Sequence, residues 1–264
     1  MRVLAVDWSG DARGGRHRIR VAEARPGRLL GVRGGLDREG VGDLLLALRN
    51  GPGPAVVGLD FSFGLAGWFA REHGCASLPQ VWDLAAADGE RWLAECPPPF
   101  WGRAGTRKPA DDPARPLFRA TEHDARARGL HPLPTFQIGG AGAVGTGSVR
   151  GMALLAAWRS AGLGVWPLDP APGSSGVLLV EVYPRAMTGP VVKSSPRARG
   201  AHVAADRRIP ADLRETAAAT EDAFDAAFAA LGMAEHVDEL AGLRALTDAT
   251  ALLEGAMWLP PRGS

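Results

Sequence analysis

Cysteine is nearly absent. Cys75 and Cys96 are the only two, too few for a disulfide framework or a cysteine-rich zinc site, and a reducing, cytoplasmic setting is the natural expectation. Lysine is just as scarce: Lys108 and Lys193 are two of thirty basic residues. With so much Ala, Gly, Pro and Arg, this points to a G+C-biased genome, a background in which a surviving lysine stands out. No run of about eighteen apolar residues occurs, so no transmembrane helix is expected. Met1 to Gly10 carries Asp7 inside a short apolar run, the signature of a strand and not of a signal peptide. The formal net charge of +1 excludes attraction of the whole molecule to nucleic acid and leaves only a local basic patch. No histidine has metal-ligand spacing. His123, His131 and His202 fall in polar loops or helix ends without a Ser or Cys partner, so no nucleophile triad is expected.

What is present is concentrated in one helix. Thr220 to Leu231 is apolar and Ala-rich, with Asp222 and Asp225 three residues apart. That spacing puts both carboxylates on nearly one side, beside Ala226 and Ala229. Phe224, Phe228 and Leu231 point the other way. A helix apolar around most of its circumference is a buried one. Two anions on a buried side repel and lose hydration unless a positive charge lies between them. A divalent metal is the simplest candidate.

Three strand candidates each carry an acid at or near their ends. Arg2 to Val6 delivers Asp7, Ala55 to Leu59 delivers Asp60, and Val177 to Val182 holds Glu181. Arg18 to Ala24 and Arg28 to Arg33 complete an antiparallel meander by their turn signals. Val41 to Leu48 reads as a helix closed by Asn50-Gly51. Residues 66–95 read as helical in pieces, 97–116 as irregular, and Leu117 to Arg128 as a polar helix. Ser148 is a candidate cap for a helix over Met152 to Ser160, and Val165 to Pro167 a short strand. Helices are expected through Ala211 to Leu243 and over Leu246 to Leu253. No linker separates two folded parts, so 1–264 is read as one domain with an insertion over about 66–164.

Ligands of open sheets collect where strand ends meet loops. A hard cation such as Mg²⁺ or Mn²⁺ takes oxygen ligands, and two such ions roughly 3.5–4 Å apart clamp a phosphoryl displacement. Asp7, Asp60, Asp222 and Asp225 are therefore the candidate catalytic residues and metal ligands, with Glu181 as a further ligand. Each acid has a plainer reading. Asp7 and Asp60 can hold turns, Glu181 can pair with Arg185, and Asp222 suits a first helical turn. Asp225 lies deeper and is the hardest to explain away.

Gly140 to Gly145 fits the dinucleotide pattern G-x-G-x-x-G, but the preceding segment holds two prolines and makes a doubtful core strand. Amides around Gly140 and Gly142 are better read as contacts for a substrate phosphate, or as a loop packed close on the sheet. Ser9, Arg119 and Lys193 are further candidate substrate contacts. Arg119, Glu122 and Arg126 share a helical side, so internal ion pairs are the alternative for that segment.

Strand–acid, two strands, helix, strand–acid, then a late acidic helix resembles the RNase H-like fold. Asp222-Ala-Phe-Asp225-Ala-Ala-Phe-Ala resembles the acidic C-terminal helix of RuvC-type resolvases. Asp7 matches their first-strand aspartate, and Asp60 stands where they carry glutamate. Over most of its length the chain looks like a bacterial domain family of unknown function predicted to be RNase H-like nucleases. Val6-Asp-Trp-Ser9, Gly58-Leu-Asp-Phe61, Phe136 to Gly142, Val180-Glu-Val-Tyr-Pro184 and Glu254 to Trp258 carry that likeness. It implies an α/β fold with a mixed five-stranded sheet flanked by helices. It also implies a two-metal, Mg²⁺- or Mn²⁺-dependent nuclease, a hydrolase acting on nucleic acid with no membrane partner. Two alternatives stay open: a non-catalytic module binding nucleic acid or protein, and a phosphohydrolase or phosphotransferase acting on a small phosphorylated molecule.

Overall fold

A computed structural model describes residues 1–12 and 18–261. The meander expected from the turn signals is there: β1 (Arg2–Asp7), β2 (Arg20–Arg25) and β3 (Arg28–Gly34), successive strands antiparallel. Gly27 supplies the positive φ of +71° in the tight turn between β2 and β3. Helix α1 (Arg38–Arg49) starts where the Asp37 side chain accepts from the Gly40 N–H at 2.9 Å. It leads into β4 (Pro54–Leu59), which lies parallel to β1.

Four helices follow: α2 (Gly67–Glu72), α3 (Leu78–Glu95), α4 (Ala120–Ala127) and α5 (Gly145–Ser160). The chain returns through β5 (Gly164–Val165) and β6 (Gly176–Val182), then α6 (Arg185–Thr188) and α7 (Pro196–Ala205). A 3₁₀ turn (Ala211–Leu213) precedes α8 (Arg214–Ala218), α9 (Glu221–Glu235), α10 (Val237–Ala241), α11 (Ala251–Glu254) and β7 (Met257–Trp258). Among the described residues no helix is long and apolar enough to cross a membrane.

The result is α/β, with one mixed sheet of seven strands in the order β3-β2-β1-β4-β6 and two short strands on the far side of β6. Five strands were expected. The count rises because β5 pairs with Leu178 and Leu179 while β7 pairs with Glu181 and Val182, so two dipeptides divide one edge. β5 overlaps the short strand expected at Val165 to Pro167, whereas β7, two residues long, is too short for alternation to register in a sequence.

The central strands are buried on both faces, as parallel strands between helical layers must be. Leu4, Val6, Val57 and Leu59 face the core shared with α1, α3 and α5. Val3, Ala5, Val56 and Val180 face the core shared with α9. Gly58 sets how closely α9 approaches: a Cβ there would stand 2.5 Å from Met233 Sδ and 2.9 Å from Val182 Cγ1.

Three helical expectations shift. The helix expected from Met152 begins at Gly145, and Ser148 sits inside it, donating to the Val144 carbonyl and accepting from the Ser62 N–H at 2.9 Å. Of the helices expected through Ala211 to Leu243, the first is the 3₁₀ turn at Ala211–Leu213, followed by α8, α9 and α10. Of Leu246 to Leu253 only the end is helical, because the Leu246 amide is drawn to the Pro167 carbonyl at 2.9 Å.

The excursion over 66–164 is stitched to the sheet by one buried guanidinium. Arg119, 1 % exposed, reaches both oxygens of Glu181 at 2.5 and 2.9 Å, Glu122 at 3.0 and 3.1 Å, and the Glu254 carbonyl at 3.1 Å. The Glu254 carboxylate accepts from the first amides of α2 and α4, Gly67 and Ala120, each at 2.7 Å. Those are helix N-termini, where an anion is favourable. Burial works against the charge on Arg119, but Glu181 and Glu122 outweigh it and raise its pKa. Truncating one partner of such a network leaves buried charge uncompensated. Arg119→Met should therefore cost about 3–5 kcal/mol in urea unfolding, and a loss under about 1 kcal/mol, typical of an exposed pair, would contradict this assignment.

Candidate functional site

The site begins with strand register. Val6 is opposite Leu59, so Asp7 at the end of β1 and Asp60 just past β4 emerge side by side, and the Asp60 N–H donates to the Val6 carbonyl at 3.0 Å. The third component is the start of α9. Thr220 caps it, its hydroxyl accepting from the Ala223 N–H at 3.0 Å. This fixes Asp222 in the first turn and Asp225 one turn deeper. All four aspartates line one cleft of about 640 Å³, together with Lys193 from the segment between α6 and α7.

Burial sets the electrostatics. Asp7 is 8 % and Asp225 5 % exposed, while Asp60 and Asp222 are half-buried. Loss of hydration drives the Asp7 pKa well above the carboxylate range, and the fields of Asp60, Asp225 and Asp222 drive it further, against the pull of Lys193. Asp60 is pushed up to about 7, first by burial and then by Asp225, again opposed by Lys193. Burial also raises Asp225 despite its ion pair with Lys193. For Lys193, burial favours the neutral amine, but Asp225, Asp60 and Asp7 outweigh it and raise its pKa.

Lys193 thus pairs with Asp225 and opposes the repulsion felt by Asp7 and Asp60. Lys193 Nζ bonds Asp225 Oδ2. Asp225 Oδ1 is buried with no hydrogen-bond partner among the described residues. A buried carboxylate oxygen without a donor is costly, and a hard cation would satisfy it. Among the described residues no three acidic, His or Cys side chains stand at ligating distances from a common point. The donor set suits Mg²⁺ or Mn²⁺ in chemistry, and its side chains would have to move to close around an ion.

The other candidate residues divide. Ser9 is buried on the cleft wall, its hydroxyl accepting from the Asp11 N–H at 3.2 Å. Gly142 lines the cleft, with Thr146 and Gly147 at the start of α5, whereas Gly140 is exposed and outside the lining. The close-packed reading of this loop has a visible cause nearby. A Cβ on Gly10 would meet Gly147 N at 2.5 Å, and the Trp8 indole donates to the Gly147 carbonyl at 3.1 Å. The segment before the glycines forms no strand beyond a single bridge of Gln137 with Trp101, so the dinucleotide pattern lacks its framework.

Two assignments are corrected. Arg119 is not a substrate contact, because it lies off the cleft with its donors spent on Glu181, Glu122 and Glu254. Glu181 borders the cleft, but both oxygens are taken by Arg119, and one also accepts from the Phe63 N–H at 2.7 Å. It serves structure and not metal ligation. Its expected partner, Arg185, donates instead to the Val191 carbonyl at 2.9 Å.

Several contributors were not singled out in the sequence. Tyr183 lines the cleft, its pKa raised by burial and then by Asp60. Its only signal was its place in Val180 to Pro184. Arg38 donates to the Ser9 and Asp11 carbonyls at 3.2 and 2.8 Å, and Arg150 to that of Gly10, so two distant helices fix the loop after Asp7. Nothing in the sequence marks carbonyl-binding arginines.

The pKa of Asp60 has a consequence for stability. The unfolded carboxyl releases its proton near pH 3.9, the folded one at about 7. Folding is therefore unpenalised below about pH 4 and loses stability as pH rises towards 7. In chelator-treated protein, Asp60→Asn should be more stable than wild type by about 2–4 kcal/mol at pH 8 and about equal to it at pH 3.5. Urea unfolding at both pH values checks this, and a gain independent of pH would refute it.

No protein-family model, curated protein or solved structure matches this chain.

Proposed function

We propose that the cleft is a divalent-metal site and that the protein is an RNase H-like hydrolase cleaving phosphodiester bonds of nucleic acid. The observation that carries this reading is the buried Asp225 Oδ1, without a hydrogen-bond partner among the described residues, on a residue that lines one cleft with Asp7, Asp60 and Asp222. Topology supports it. An antiparallel meander followed by parallel β4 and β6, with acids at the ends of β1 and β4 and on a covering helix, is the arrangement that the resemblance implies.

Asp7, Asp60, Asp222 and Asp225 would hold Mg²⁺ or Mn²⁺. The ion would polarise a phosphoryl oxygen and lower the pKa of bound water. The chain's own groups supply the rest. The first turn of α5 borders the cleft at Thr146 and Gly147, and a helix N-terminus favours a phosphate. Ser9 and Gly142 border the same space, and Lys193 offers a charge for a phosphate oxygen. Tyr183 and Met257 give one side an apolar surface suited to a base or sugar.

A second reading rests on the walls of the cleft. Acids outnumber Arg and Lys along them, and the volume of about 640 Å³ lies within the range of small-ligand sites. A small phosphorylated molecule fits this better than a long polyanion does.

Single-stranded, duplex, hybrid and branched oligonucleotides incubated with Mn²⁺ test the proposal. Cleavage should depend on metal and fall at least about 100-fold in Asp7→Asn, the scale of losing a major electrostatic stabiliser. Intact oligonucleotides beside a hydrolysed nucleotide or sugar phosphate would favour the small substrate. No turnover of either kind would leave a binding module.

A further inference from the structure

Lys193 is placed with unusual care for a loop lysine. Its side chain is 33 % exposed, and its amine lies on Asp225, whose side chain is 7 % exposed. The backbone around it is clamped. Arg199, itself buried, donates to the Lys193 carbonyl and also to the carbonyls of Ala218 and Ala219, at 3.1 and 3.4 Å. Those two residues directly precede the Thr220 cap of α9. Arg199 therefore ties the Lys193 segment to the end of the helix that carries Asp222 and Asp225. Arg185 holds the segment on its other side through the Val191 carbonyl. Ser195 starts α7 two residues on, its hydroxyl accepting from the Ala198 N–H at 3.3 Å. The main chain at 193 is thus fixed relative to the acids, while the flexible four-carbon stem ends in a compact charge.

We propose that Lys193 is an exchangeable internal counter-ion: its ammonium group takes the cation position at Asp225 until a divalent ion displaces it, and it then swings into the cleft towards substrate phosphate. This rests on the divalent-metal reading above. Four clustered aspartates need positive charge in the metal-free protein, and Lys193 supplies it on Asp225. A divalent ion seeking Asp225 meets that same ammonium. Binding is then an exchange of cations and not an addition, and the amine it frees is already anchored at the cleft.

Calorimetric titration of Mn²⁺ at pH 8 into wild type, Lys193→Met and Asp7→Asn tests the exchange. Lys193→Met should bind Mn²⁺ about tenfold more tightly than wild type, the scale of removing one unit charge close to a divalent ion at a partly exposed site. Asp7→Asn should bind far more weakly than wild type. Equal or weaker binding by a folded Lys193→Met, with wild type still binding, would overturn the exchange and leave the metal reading intact. Absence of binding by wild type would overturn both.

A second measurement needs no variant. The chain has two lysines, and Lys108, its side chain 51 % exposed, is an internal reference. Amine acylation read by mass spectrometry should rise at Lys193 relative to Lys108 when Mn²⁺ saturates the protein. An unchanged or lower ratio would overturn the proposal.

Discussion

Mutual repulsion among Asp7, Asp60, Asp222 and Asp225 is the constraint around which this fold is arranged. Neighbouring parallel strands put two of these acids side by side, and a capped, buried helix adds two more. Burial first, and the neighbouring acids after it, raise the pKa values of Asp7, Asp60 and Asp225. Structural acids are usually spread apart or paired one to one. Keeping four around one cleft with a single lysine on Asp225 makes sense when more positive charge arrives from outside.

A few residues away, the same chemistry is used to the opposite end. Arg119, Glu122, Glu181 and Glu254 are also buried charges, yet their oxygens meet guanidinium N–H groups or backbone amides. That network is closed. It joins α4, β6, α11 and the loop after β4 into one unit, and leaves nothing for a ligand. The aspartate cleft is open, with Asp225 Oδ1 lacking a donor among the described residues. Asp60 and Glu181, both on the cleft and one register position apart, thus fall into different systems, Glu181 being bound by Arg119.

That division explains what the sequence disclosed. Short apolar runs ending in an acid were enough to place β1, β4 and β6, because period and length are local properties. The two aspartates of α9 were legible because charge in an Ala-rich helix breaks a pattern. Glu181 looked equivalent to Asp60 since it too sits near a strand end. Only the long-range arrival of Arg119, sixty-two positions earlier, separates them, and no local rule reports it. Arg199, Arg38 and Arg150 were silent for a related reason: arginines that bind carbonyls leave no complementary charge in the sequence. The strands β5 and β7 exist through pairing with β6 alone.

Anomalous diffraction from crystals grown with Mn²⁺ decides whether a divalent ion takes the place of the Lys193 amine. A peak ligated by Asp225 Oδ1 and Asp7 is expected, with that amine moved off Asp225. A structure at saturating Mn²⁺ with no peak in the cleft, and Lys193 still bonded to Asp225, would contradict that expectation.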